Sequence, residues 1–135
     1  MTANATDRSG VLSRYFQLLD SREIDDLVEM YAEDGVMITK GGTDGRAIVG
    51  KPALREFYAG RGPSTNRHSI TSAAESASGS FAEGLVVARE GDGETKFFIA
   101  TANLDGDGKI TRYTTLVWPA LTQEQAKHLV GEMVV

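Results

Sequence analysis

Three strand-like runs fill the second half of this chain: Phe81 to Arg89, Thr95 to Asn103 and Ile110 to Trp118. The short turns Glu90-Gly91-Asp92-Gly93 and Asp105-Gly106-Asp107-Gly108 lie between them. Linkers that short and glycine-rich turn the backbone straight back on itself, so the runs form an antiparallel meander. A further alternating run, His68 to Ser78, precedes them, and Pro119 closes the last.

The first half has a different period. Val11, Leu12, Tyr15, Phe16 and Leu19 recur on one face at helical spacing. A second stripe, Ile24, Leu27, Val28 and Tyr31, predicts another helix that Asp34-Gly35 ends, and Asp20-x-x-Glu23 reads as its capping box. Val36 to Thr39 is a short strand, Lys40 to Arg46 a glycine-rich loop, and Ala47 to Val49 a second short strand. Pro52 suits the first position of a third helix with Leu54, Phe57 and Tyr58 as its buried face and Gly60 as its stop. Thr122-x-x-Gln125 caps a short helix at the end of the chain. Helices segregated from a sheet define the α+β class. The expected architecture is three N-terminal helices packed in a curved antiparallel sheet. Residues 1–7 read as a flexible leader and 8–135 as one domain.

Bulk properties narrow the functions. At 135 residues and 41% hydrophobic content the chain can bury one core and a modest cavity. Net charge is −5 and lysines and arginines form no run, which argues against a nucleic acid partner. The absence of cysteine removes disulfides, thiolate catalysis and thiolate-ligated zinc. No apolar run approaches a membrane span and no signal peptide is apparent, so the expected residence is cytoplasmic with no membrane partner. Asn4-Ala5-Thr6 is a chance sequon in that setting.

Several segments together resemble one superfamily. Arg14-Tyr15-Phe16-Gln17-Leu18-Leu19-Asp20 through Leu27-Val28-Glu29-Met30-Tyr31-Ala32-Glu33-Asp34 is similar to the opening of bacterial ketosteroid isomerase. Gly50 to Tyr58 resembles its third helix, Leu104 to Ile110 its last hairpin, and Trp118 a pocket tryptophan near the end of its final strand. On these segments the chain is identified as a member of the nuclear transport factor 2-like superfamily, among the ketosteroid isomerases and SnoaL-like polyketide cyclases. The resemblance implies a cone-shaped fold with one deep pocket, a homodimer, and no cofactor. It places an oxyanion-holding tyrosine at Tyr15 with buttressing tyrosines at Tyr31 and Tyr58. A phenol in a dry pocket donates a strong hydrogen bond to a developing enolate. Helical spacing alone would equally make these three residues core.

The isomerase's two carboxyl groups are missing. Its base falls on Thr39 and its protonated acid on Ala100, and a threonine is no base near neutral pH. A different pair takes their place. Scytalone dehydratase and hexachlorocyclohexane dehydrochlorinase, of the same superfamily, pair an aspartate near the end of the first helix with a strand histidine, and Asp20 and His68 resemble those positions. A carboxylate that orients an imidazole and stabilises its charged form makes it a competent base. The plainer alternatives are a helix cap for Asp20 and a solvated strand end for His68.

Alternation suggests the pocket wall: Phe98, Ala100 and Ala102 on one strand, Thr114, Leu116 and Trp118 on the next. Such a wall suits a small hydrophobic ligand. Two histidines without cysteine make no metal site, and Asp105 to Gly108 departs from a calcium loop at Lys109 and Leu116. Arg67 is available to an acidic ligand but reads as a surface residue. The sequence therefore supports a cofactor-independent isomerase, dehydratase or cyclase working by proton transfer on a ketone or polycyclic compound, with Tyr15, Asp20 and His68 as its machinery. A non-catalytic ligand-binding or dimerisation module of the same fold is the alternative.

Overall fold

A computed structural model describes residues 10–41, 44–61, 66–88, 95–118 and Glu124. The expected leader, the turn at Glu90–Gly93, and the C-terminal helix with its His128 lie outside the described residues. Helix α1 (Val11–Asp20) and helix α2 (Ile24–Glu29) come first, followed by a hairpin of β1 (Tyr31–Gly41) and β2 (Asp44–Val49). Helix α3 (Lys51–Gly60) follows, then β3 (Asn66–Ser76), β4 (Gly79–Ala88), β5 (Lys96–Leu104) and β6 (Ile110–Val117). The helices are therefore not one N-terminal block, because the β1–β2 hairpin stands between α2 and α3.

The six strands form one curved sheet in the order β2-β1-β6-β5-β4-β3. The meander from β3 to β6 is antiparallel, as its short turns require. The expectation of a wholly antiparallel sheet fails at one seam, where β1 pairs with β6 in parallel. The meander ends with β6 running the same way as β1, and the long excursion through α3 and β3–β5 supplies the crossover that a parallel pair needs. In the tight turn before β6, Asp105 Oδ1 accepts the N–H groups of Asp107 and Lys109, both at 2.9 Å, and Gly108 takes a φ of 79°. That carboxylate is occupied in shaping the hairpin.

Three local expectations change. Asp20 does not cap α2: the residue before that helix is Glu23, without a side-chain cap, while Ser21 Oγ bonds Glu23 Oε2 at 2.8 Å. Tyr31 is not on α2 but opens β1, opposite Ile110, because Ile110 N–H reaches the Met30 carbonyl at 2.9 Å. The register then slips between Tyr31 and Val36, and Gly35 sits so close that a Cβ there would lie 2.9 Å from the Ile110 carbonyl oxygen. The glycine-rich segment after Thr39 is also more regular than a loop: the pairing continues to Gly41 opposite Asp44.

Helix α1 lies on the concave face. Its Leu12, Tyr15, Phe16 and Leu18 are buried with Met37, Ala82, Phe98, Ala100, Ala102 and Tyr113 of the sheet. Each large apolar side chain removed from water contributes roughly 1.5–3 kcal/mol, so this interface anchors the helix that carries Asp20. No side chain of its own caps α1. Glu75 Oε1 takes the Val11 N–H at 3.3 Å and Ser80 Oγ the Leu12 N–H at 3.4 Å, so the far β3–β4 hairpin fixes the helix start. Among the described residues no helix is long and apolar enough to cross a membrane.

Candidate active site

The end of α1 meets the edge strand β3 at Asp20 and His68. The His68 backbone N–H donates to Asp20 Oδ2 at 2.7 Å, and His68 Nδ1 lies 2.8 Å from Asp20 Oδ1. Both side chains are largely shielded, at 13% exposure for Asp20 and 16% for His68. An ionised carboxylate can only accept, so Nδ1 carries the hydrogen of this pair. The neutral imidazole then keeps its lone pair on Nε2. The ring is held on two further sides. Phe16 stacks on it with centroids 4.3 Å apart and 13° between planes, and Phe98 meets it edge-on at 5.3 Å. Orientation by a carboxylate and confinement by aromatic faces fix the imidazole as a base requires.

His68 borders two hollows. One, of about 250 Å³, has Leu19, Val86 and Val117 as its apolar wall and Asn66, Arg22, Arg61 and Lys96 around Asp20 and His68. The other, also about 250 Å³, is more open and lies toward Ser13, Gln17 and Arg67. The first has room for a ligand of one or two rings with a polar end.

The three tyrosines Tyr15, Tyr31 and Tyr58 converge elsewhere. Tyr15, Tyr31 and Tyr58 are buried, and the Tyr15 hydroxyl contacts those of Tyr31, at 2.7 Å, and Tyr58. The Tyr58 hydroxyl donates to Met37 Sδ at 3.0 Å. One direction satisfies every proton: Tyr31 donates to Tyr15, Tyr15 to Tyr58, and Tyr58 to the sulfur. Burial raises the pKa of all three phenols and of Tyr113 above the ordinary tyrosine value, so each stays neutral. Tyr15 stacks on Tyr113 at 4.4 Å and does not border the hollow beside His68.

The remaining expected positions divide between the two faces of the sheet. Thr39, Thr115 and Ala100 stand in one cross-strand row on the concave face, so the ladder row that the resemblance gives to two carboxyl groups here holds two hydroxyls and a methyl. Phe98 and Ala100 are buried on this face, as alternation along β5 predicts. Along β6 the structure sets the alternation one residue out of step with the expected Thr114, Leu116 and Trp118 face. Tyr113, Thr115 and Val117 face inward opposite Ala102, Ala100 and Phe98, while Leu116 and Trp118 lie outside, 41% and 44% exposed. A one-residue slip exchanges the faces of a strand. The signal was present, since the inward set contains the bulky Tyr113 and the outward set the charged Arg112 and the polar Thr114. Phe16, Arg22, Arg61 and Lys96 were not anticipated. Phe16 was legible only as core, and the cations gain meaning only when folding gathers them.

A six-stranded mixed sheet curved around a helix, with a histidine–aspartate pair at its open edge, defines an α+β protein of the nuclear transport factor 2-like fold. The SnoaL-like domain family model matches residues 12–113, and the chain belongs to that family. Among solved structures it is similar to one from Kribbella flavida with a provisional ketosteroid isomerase designation, at 19% identity and TM-score 0.66 over 98% of this chain and 93% of that one. An NTF2-like protein from Burkholderia xenovorans aligns at 12% identity and TM-score 0.66 over 92% of each chain. SalBIII, an epoxide hydrolase/cyclase-like enzyme of pyran ring formation in the polyether salinomycin, aligns at 15% identity and TM-score 0.61, covering 84% of this chain and 89% of that one. At these identities the likeness is one of fold. No curated protein matches by sequence.

Proposed function

We propose that this protein is a cofactor-independent proton-transfer enzyme acting on a small, largely apolar carbonyl compound bound beside His68. The observation that carries this reading is the double contact of Asp20 with the ring and backbone of His68. In the reaction Nε2 takes a proton from the carbon next to the carbonyl and leaves an enolate. The imidazolium returns that proton to a different carbon in an isomerisation, or to a departing oxygen in a dehydration. Asp20 is the positioning residue: it holds the tautomer and stabilises the imidazolium. A carbonyl oxygen reaching Tyr15 would have to interrupt the chain of phenols, so the reading rests on His68 and Asp20. The kinship with a cyclase-like enzyme and a provisional isomerase favours chemistry of this class without fixing the substrate.

Incubation with a panel of steroid and polyketide ketones in deuterated water tests the reading directly. Deuterium should enter the carbon beside the carbonyl, and His68→Ala should slow entry by about 10²–10⁴-fold, the usual contribution of a general base. Exchange at the uncatalysed rate across the panel, or equal rates for wild type and His68→Ala, would count against it.

A second reading, a non-catalytic ligand-binding or dimerisation module, draws on the convex face of the sheet. Ile38, Leu116 and Trp118 are exposed there, beside the buried pair Leu85 and Phe97. Apolar groups collected on one face favour pairing with a second copy. Sedimentation equilibrium of wild type and Leu116→Asp tests this: a homodimer that dissociates on substitution supports it, and a wild-type monomer removes it.

A further inference from the structure

The protein as a whole is acidic, with net charge −5, yet among the described residues the hollow beside His68 is bordered by three cations, Arg22, Arg61 and Lys96, and one carboxylate, that of Asp20. Asp20 is itself engaged with His68. Among the described residues, the Arg and Lys ion pairs are those of Lys51 and Arg55 with Asp25, Glu29 and Glu33, and none involves the three cations of the hollow. We infer that the site takes an anionic substrate, a compact apolar body bearing a carboxylate, rather than a neutral ketone. The inference rests on the reading of the His68 hollow as a ligand site and names the class of ligand.

The backbone supplies an independent reason. Helix α1 ends with Arg22 N–H bonded to the Leu19 carbonyl at 3.2 Å and Glu23 N–H to the Leu18 carbonyl at 2.9 Å. That double closure requires the residue after the cap to be left-handed, a place usually taken by glycine. Here it is Arg22, at φ 63°, the single non-glycine residue with positive φ among those described. A strained backbone next to a candidate site points to a side chain worth keeping there. What the strain delivers is a guanidinium at the rim, steadied by a hydrogen bond from Nη2 to the Tyr58 carbonyl at 3.3 Å. Arg61 is steadied too, with its guanidinium carbon 5.8 Å from the centroid of the Phe57 ring. Its charge reaches inward, where it opposes the rise in pKa that burial imposes on Tyr58 and Tyr113. Two held guanidiniums and a lysine beside an apolar wall match a carboxylate on a ring, since such groups bond carboxylates with charge on both partners.

The test compares naphthoate with its neutral methyl ester, followed by amide chemical shifts of the labelled full chain. Naphthoate should shift His68, Val86 and Val117 and bind about tenfold more tightly than the ester, a difference of about 1.4 kcal/mol. The preference should fade with added salt. Arg61→Gln and Lys96→Gln should each lower the ratio of acid to ester affinity, and Arg61→Lys should retain most of it. An ester that binds as tightly as the acid at those same amides would overturn the anionic assignment and leave the site standing. Neither compound moving those amides at millimolar concentration would overturn the assignment together with the reading beneath it.

Discussion

Asp20 and His68, 48 residues apart in the chain, are joined twice, through the imidazole Nδ1 and through the backbone N–H. The second bond matters as much as the first. It ties the edge strand β3 to the end of α1, so the carboxylate that meets the ring is itself held against the backbone of His68. Pre-organisation of this kind is what the proposed role of His68 in proton transfer requires.

The position of β3 depends on Gly84. A Cβ added there would lie 2.0 Å from the Ser69 carbonyl oxygen, next to His68, where the β3–β4 register slips between Ile70 and Ser72. Gly84→Ala should therefore push β3 outward and cost about 1–3 kcal/mol, the range for overpacking. It should also loosen the grip of Asp20 without touching either residue of the pair. Urea denaturation and the ring proton spectrum of His68 check both effects, and an unchanged spectrum would contradict the assignment of β3 as the ring's support.

The chain of phenols makes a graded prediction. Tyr15→Phe removes the middle hydroxyl and leaves the Tyr31 donor and the Tyr58 acceptor unpaired in the core, at about 1–3 kcal/mol for such a buried loss. Tyr31→Phe removes only the first donor and should cost about 1 kcal/mol. Equal losses for the two variants, measured by chemical denaturation, would contradict the proposed direction of the bonds.

All four tyrosines of the chain are buried and all have raised pKa values. Unfolded tyrosine ionises near 10, so above that pH the unfolded chain releases protons that the folded chain retains. The stability these phenols contribute is complete below pH 10. It falls as pH rises past 10, by about 1.4 kcal/mol per pH unit for each phenol. Phenolate absorbance should therefore stay absent until the fold is lost, and then appear together with the loss of circular dichroism. A phenol titrating near pH 10 in an intact fold would argue against this burial.

The left-handed Arg22 predicts a gain. Arg22→Gly relieves the conformational cost of an L-residue at that position and should raise stability by about 0.5–1 kcal/mol, despite the weak hydrogen bond it gives up. The same variant should weaken naphthoate relative to its ester. A stabilised protein with poorer anion binding is the pattern of a strained residue retained for a ligand. A destabilised one would assign Arg22 to the fold instead.

The pattern of apolar residues revealed α1, α3 and the β3–β6 meander, because period and turn chemistry are local. The parallel seam of β1 with β6 depends on distant partners and left no local mark. The start of β1 was hidden for a related reason: Tyr31 continues the helical stripe of Ile24, Leu27 and Val28, and only the bond from Ile110 N–H to the Met30 carbonyl breaks the helix there. Resemblance led to Asp20 and His68, although the spacing of Asp20 and Glu23 also suggested a cap that the fold does not use. Arg22, Arg61 and Lys96 come from three separate segments and read as ordinary surface cations until the fold collects them.

The proposed role of Asp20 is to fix the tautomer of His68 and leave Nε2 as a base. Nitrogen-15 spectra of the two imidazole rings, assigned with His128→Gln, read this directly. Neutral His68 should carry its proton on Nδ1, and Asp20→Asn should abolish this preference together with deuterium exchange into substrate. A neutral His68 protonated on Nε2 in the wild-type protein would contradict it.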